Sequence, residues 1–213
     1  MKSKKMLFLS FLHYDWWKIL GVFGVLSAIL AFSFNYKDKL KENDILEIFV
    51  SFETKDLSFQ KDLYSMVGQN EVKAIHCTSS LEGNDGYNQV ASSYISSVAD
   101  IYLLPESVLA SHPSYASYAK DIEDENSSRF QEISSSISFY QGEFQKPRGI
   151  KIYDLQDVSY NEGKKFSSWF ELKETTYLFV SDVSTNRLSV DKKGRNLLWE
   201  FAYAFLELGV SSS

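Results

Sequence analysis

The residues best placed for chemistry are hydroxyls and carboxylates at the ends of short apolar runs. Ser51 and Glu53 close the run ILEIFVSF, residues 45–52. Thr78, Ser79 and Ser80 follow EVKAIHC, and Glu106 and Ser107 follow DIYLL across Pro105. In open parallel sheets ligands bind beyond the carboxyl ends of the strands. If the three runs are parallel strands, these residues converge on one edge, and Tyr87, opening the next helix, flanks them. Their chemistry is hydrogen bonding to a small polar ligand. Ser107 and the free amides of a first helical turn would hold an anion or a sugar hydroxyl. The competing explanation is structural: Glu106 complements the helix dipole and the hydroxyls cap chain ends. Glu53 carries the same ambiguity.

Catalysis has less to build on. The histidines are His13, His76 and His112, and Cys77 is the single cysteine. One cysteine excludes an internal disulfide and a cysteine-based metal cluster. His76 and Cys77 are adjacent in an expected strand and so point to opposite faces. They do not form a nucleophile–base pair; His76 reads as a partly buried strand histidine and His112 as surface. There is no His-Glu-x-x-His pattern, phosphate-binding glycine loop, dinucleotide fingerprint or serine elbow. Asp121, Glu123, Asp124 and Glu125 lack the ligand alternation and glycine of a calcium loop and read as a solvated acidic face. No catalytic residue, metal or cofactor is expected, and the chain reads as a non-enzyme.

The elements that position these residues follow from periodicity. The run at 45–52 has little polar alternation, as expected of a central strand covered on both faces. Thr54 reads as the cap of a helix with a Phe59, Leu63, Val67 stripe, stopped by Gly68. Residues 71–77 read as a second strand. Tyr87, Val90, Ala91, Tyr94, Ile95 and Val98 mark a helix docked by one face. Asp100–Leu104 is a third strand, and Pro105 suits the first turn of the helix after it. This order predicts an α/β fold, a three-layer parallel sheet with right-handed crossovers. Residues 119–138 read as a loop, an extended excursion or an irregular small subdomain. Strands are expected at 148–155 and 176–180, and a closing helix ends at Gly209 on a stripe of Leu197, Phe201, Phe205 and Leu208. Tyr87, Tyr94, Tyr102, Tyr115, Tyr118, Tyr140 and Tyr153 serve either as stacking platforms or as core packing.

Residues 19–34 form a charge-free apolar run bordered by Trp16, Trp17 and Tyr36. This approaches a bilayer span with interfacial aromatics. The expected organisation is a cytoplasmic or interfacial segment at 1–18, a transmembrane helix at 19–36, a spacer at 37–44 and an α/β domain at 45–211. Cleavage after a small-x-small site at 31–33, or a buried helix, are the alternatives. Four lysines before the span bias the amino terminus towards the cytoplasm, leaving the domain outside. Residues 45–213 carry 15 basic and 24 acidic side chains, a balance of −9. Such a body is a poor surface for nucleic acid.

The stretch YNQVASSYISSVADIYLLPESVLAS resembles extracellular solute-binding proteins of bacterial ABC importers, of the type with two α/β lobes around a hinge. YLFVSDVSTNRLSVDKKGRNLLWEFAYAFLE is similar to the late strand, turn and helix of that family. YDWWKILGVFGVLSAILAF is similar to the start of small membrane-anchored proteins of Firmicutes carrying such a domain. The resemblance implies a periplasmic-binding-protein-like (type 2) fold with a solute cleft at the edge named above, and a role in ligand binding or as accessory to an ABC-type transporter. The chain is short for two full lobes, so the second is reduced, at 121–160, or absent. The alternative is a structural or assembly protein of a membrane complex, using the anchor and an aromatic surface to contact an envelope partner.

Overall fold

A computed structural model describes residues 25–27, 44–67, 72–191 and 193–210. The chain divides into two compact units, 1–40 and 41–213. In the first, residues 25–27 are helical. Among the described residues no helix is long and apolar enough to cross a membrane. Except for 25–27, the expected span at 19–36 lies outside the described residues, as do His13, nearly all of the spacer at 37–44 and the expected helix stop at Gly68.

The second unit is built on one six-stranded sheet. Its strands are β1 (Ile45–Val50), β2 (Ala74–Ser79), β3 (Ile101–Pro105), β4 (Phe139–Tyr140), β5 (Gly149–Tyr153) and β6 (Thr176–Val180), in spatial order β2-β1-β3-β6-β5-β4. β1 pairs in parallel with β2 and β3. β6 runs antiparallel to β3, β5 antiparallel to β6, and β4 antiparallel to β5. The sheet is therefore mixed, which corrects the expectation of a parallel one. A fully buried apolar run reads alike in either direction. Direction is decided by the connection, and the connection before β5 is the one without clear periodicity.

Helices cover both faces, so the three layers stand. Along β1, Leu46, Ile48 and Val50 face one core while Phe49 faces the other. β3 and β6 alternate likewise, with Ile101, Leu103, Leu178 and Val180 on the first side and Tyr102, Leu104, Tyr177 and Phe179 on the second. The first face is covered by α1 (Ser58–Val67), α4 (Asp124–Ile133), α6 (Phe166–Trp169) and α7 (Leu197–Val210). The second is covered by α2 (Tyr87–Ser93, continued by a π-helical turn over Tyr94–Val98), α3 (Glu106–Ser111) and a 3₁₀ turn (Pro113–Tyr118). A short helix, α5 (Val158–Asn161), lies between β5 and α6.

Three local readings change. Thr54 does not cap α1; it bridges to Phe170, and the Asp56 carboxylate accepts the Ser58 N–H at 2.8 Å. Gly209 is helical with no positive φ. It is needed for contact, because a Cβ there would lie 2.1 Å from the Phe166 ring. Residues 124–133 form α4 within the segment whose weak periodicity leaves loop, extended excursion and irregular subdomain open. That helix buries one side chain, Phe130, and is held from outside: Phe130 packs on Tyr203 with ring centroids 4.5 Å apart, and Arg129 clasps Glu200 at 2.6 and 3.0 Å. An apolar stripe was not there to be read, because tertiary contacts replace it. The segment 121–160 places β4 and β5 in the common sheet, within the single compact unit 41–213.

Candidate functional site at the carboxyl ends of β1 and β3

β1 and β3 are parallel neighbours, so their carboxyl ends open on the same edge. β6 enters the sheet there from the opposite direction, with Thr176 in register with Pro105. Between them lies a cleft of about 220 Å³. Ser51, Glu53 and Ser107 line it, together with Leu81, Glu82, Glu171, Lys173 and Glu174.

Each wall is fixed by backbone bonds. Ser51 N–H donates to Leu103 O at 3.2 Å, tying the end of β1 to β3. The strap after β1 is stitched to the segment before β6: Glu171 N–H donates to Glu53 O at 2.9 Å. Ser79 and Ser80 do not line the cleft. The Ser79 hydroxyl donates to Phe52 O at 2.5 Å, and Ser80 N–H donates to Val50 O at 3.0 Å, so both shape its floor. Tyr87 also acts from behind the wall. Its hydroxyl shares a buried hydrogen bond of 2.7 Å with the Ser51 hydroxyl. Burial pushes the Tyr87 phenol up to about 12, against the opposing Ser51 bond, so it stays protonated. Glu106 is in the first turn of α3, off the cleft lining, as its dipole role requires.

The amides at the start of α3 are already taken. Glu106 N–H donates to Thr175 O at 2.9 Å and Ser107 N–H to the Glu174 carboxylate at 3.1 Å. The Ser107 hydroxyl donates to Glu82 at 3.2 Å. Four carboxylates face one lysine, and Lys173 is bound to Glu171 at 2.9 Å. That bond holds the Glu171 carboxyl below its ordinary range and Lys173 above its own. The anion-binding expectation is thereby corrected: a negatively charged ligand would displace a carboxylate and meet three more. The cleft offers acceptors, so it suits groups that donate.

Glu82, Glu171, Lys173 and Glu174 are the charged lining residues that sequence reasoning missed. ELKET, residues 171–175, is a visible charge cluster directly before an apolar strand. With β6 taken as parallel, its start falls at the far edge of the sheet. Only the antiparallel direction brings it to the cleft.

Elsewhere, His76 is exposed rather than partly buried, because β2 is an edge strand. Its Nδ1 lies 3.0 Å from Glu47 Oε1. Burial, reinforced by the Glu47 charge, pushes the Cys77 thiol up to about 12. Among the described residues no group of three or more His, Cys, Asp or Glu could hold a metal ion. Asp121 pairs with Arg148 at 2.8 Å and Glu123 with Lys146 at 2.6 Å, so the acidic face is partly neutralised. Of the seven tyrosines named above, Tyr87, Tyr102 and Tyr115 are buried and the other four half-buried, and among the described residues the exposed large apolar side chains are not aromatic. No family model, curated protein or solved structure matches this chain.

Proposed function

We propose that this chain is a non-enzymatic, membrane-anchored binding domain. Its cleft at the carboxyl ends of β1 and β3 takes a small ligand rich in hydrogen-bond donors, either polyhydroxylated or amine-bearing. The observation that carries this reading is the convergence of Ser51, Glu53 and Ser107, from separate segments, with Glu82 and Glu174 in one solvent-open cleft. Concave sites with a few convergent polar groups are where small ligands bind. The location of His76 on an edge strand and the protonated state of Cys77 favour binding over covalent chemistry. The apolar run at 19–34, with its aromatic borders, is the basis for attachment to the cell membrane with the domain outside the cytoplasm. The resemblance to solute-binding proteins adds an ABC-type transporter as the partner.

The test is a thermal-shift screen of the full chain in mild detergent against sugars, amino acids, polyamines and anions. The reading expects a saturable rise in Tm with a sugar or amine class, lost in a Ser107→Ala, Glu174→Ala double variant. A folded protein that responds to none, or to anions alone, contradicts it.

A further inference from the structure

The sheet ends differently at its two edges. β4 is 2 residues long, whereas β2 is 6 residues long and keeps an unbroken register with β1 throughout. Among the described residues no strand pairs with the outer side of β2. Ser80 N–H donates to Val50 O, and residues that bond inward alternate along a strand, so Cys77 and Ser79 aim their own N–H and C=O groups outward. Sheet edges are normally blunted by proline, lysine, a bulge or shortness, and β2 has none of these. Its one basic side chain, His76, is engaged with Glu47.

The helix above this edge is uncharged. α2 and its π-helical turn contain no Asp, Glu, Lys or Arg, in a chain that is 23% charged. Tyr94 stacks on Phe49 of β1 with ring centroids 5.8 Å apart, and its hydroxyl accepts that of Thr78 in β2 at 3.4 Å. The helix therefore lies over β1 and β2. Val90 and Val98, four residues to either side of Tyr94, are 39% and 38% exposed. Apolar and aromatic groups without charge are the composition of an interface core.

Two deficits thus lie side by side: a strand without a neighbour and an apolar helix stripe without a cover. An extended peptide would pair with β2 but leave the stripe in water. A second copy of this chain supplies a strand and an apolar helix in the matching layers, by two-fold symmetry. Charge points the same way. Residues 45–213 carry a balance of −9, so two copies repel unless they meet through an uncharged surface. We propose that two copies of this chain dimerise by antiparallel pairing of their β2 strands, with the Val90, Tyr94 and Val98 stripes of the two α2 helices meeting above. Centring the axis on Cys77 gives the longest overlap, with Ile75 opposite Ser79 of the second copy. No residue of β2's inner run 74–78 or of α2 lines the carboxyl-end cleft, so the dimer does not depend on what that cleft binds.

The test is sedimentation velocity of the full chain in density-matched mild detergent, from about 1 to about 100 µM, a span that brackets a micromolar Kd. The expected result is a reversible monomer–dimer equilibrium. Val90→Glu, at an exposed position, sets like charges together across the axis and should raise Kd roughly tenfold or more. Ser135→Glu adds the same charge at an exposed turn before β4 and should leave Kd unchanged. Hydrogen exchange in residues 75–79 and 88–98 should slow as the concentration rises through Kd. A monomer at every concentration overturns the proposal. A dimer indifferent to Val90→Glu, or concentration-dependent slowing confined to other segments, places the contact elsewhere and overturns it too. Should Val90→Glu fail to fold, the exchange pattern of the wild type still decides.

Discussion

The two ends of β1 and β3 are polar in opposite ways. At the carboxyl ends the charges are many and exposed, and they satisfy one another: Glu174 and Glu82 take the Ser107 donors, and Lys173 takes Glu171. At the amino ends one buried carboxylate, that of Asp100, with the Ser184 hydroxyl beside it, organises three segments. Water screens the first arrangement and makes each pair worth little. The second is shielded from water, so each bond there counts for more. The difference teaches that charge density marks where a ligand can approach, whereas a buried charge marks where the fold is under tension. Substitutions at the two ends should therefore differ in energy far more than their charges suggest.

The largest effect is expected from Asn186→Leu. It removes the donor to Asp100 Oδ2 and Ile45 O and leaves a buried carboxylate facing hydrocarbon. A loss of about 3 kcal/mol at pH 8 should appear in denaturant unfolding. A change below about 1 kcal/mol would show that the amino-end network is not under tension.

Asp100→Asn sharpens the same contrast in the other direction. The folded-state carboxyl sits near pH 6, above its ordinary 3.8, so the folded state binds this proton more tightly than the unfolded chain. Wild-type stability from this group is complete below pH 4 and is lost as pH rises through 6. The penalty is about 3 kcal/mol at pH 8, roughly half that at pH 5 and small at pH 4. Asp100→Asn removes it, so the variant should gain on the wild type at pH 8 and match it at pH 4. Paired unfolding curves across that range would check this, and a pH-independent difference would contradict it.

What the sequence made legible follows the same division. β1, β3, β6 and α7 were readable because each is an apolar run or stripe whose burial is written in residue type. So were Ser51, Glu53 and Ser107, because the rule that ligands bind beyond strand ends needs only the order of the first three strands. α4 was hidden because Phe130 is its one buried residue. Glu171, Lys173 and Glu174 were hidden because the direction of β6 depends on a connection without periodicity. Asp100 and Asn186 lie 86 residues apart, and nothing local in the sequence signals that they meet.

At the carboxyl ends effects should be smaller. Ser51→Ala leaves the buried Tyr87 hydroxyl without its 2.7 Å partner, and a cost of about 1–2 kcal/mol should be seen in thermal unfolding. Ser107→Ala, at an exposed pair, should stay within about 0.5 kcal/mol of wild type in the same assay while abolishing the ligand response. A large stability loss from Ser107→Ala would mean that the cleft hydroxyl is structural.

The most direct test of the central claim is amide hydrogen exchange, read by mass spectrometry on the full chain, with and without any sugar or amine that raises Tm in the screen. Binding at the carboxyl-end cleft predicts slowed exchange in residues 51–55, 80–83, 105–108 and 171–176. Slowing confined to other segments, or no ligand-dependent slowing at all, would contradict it.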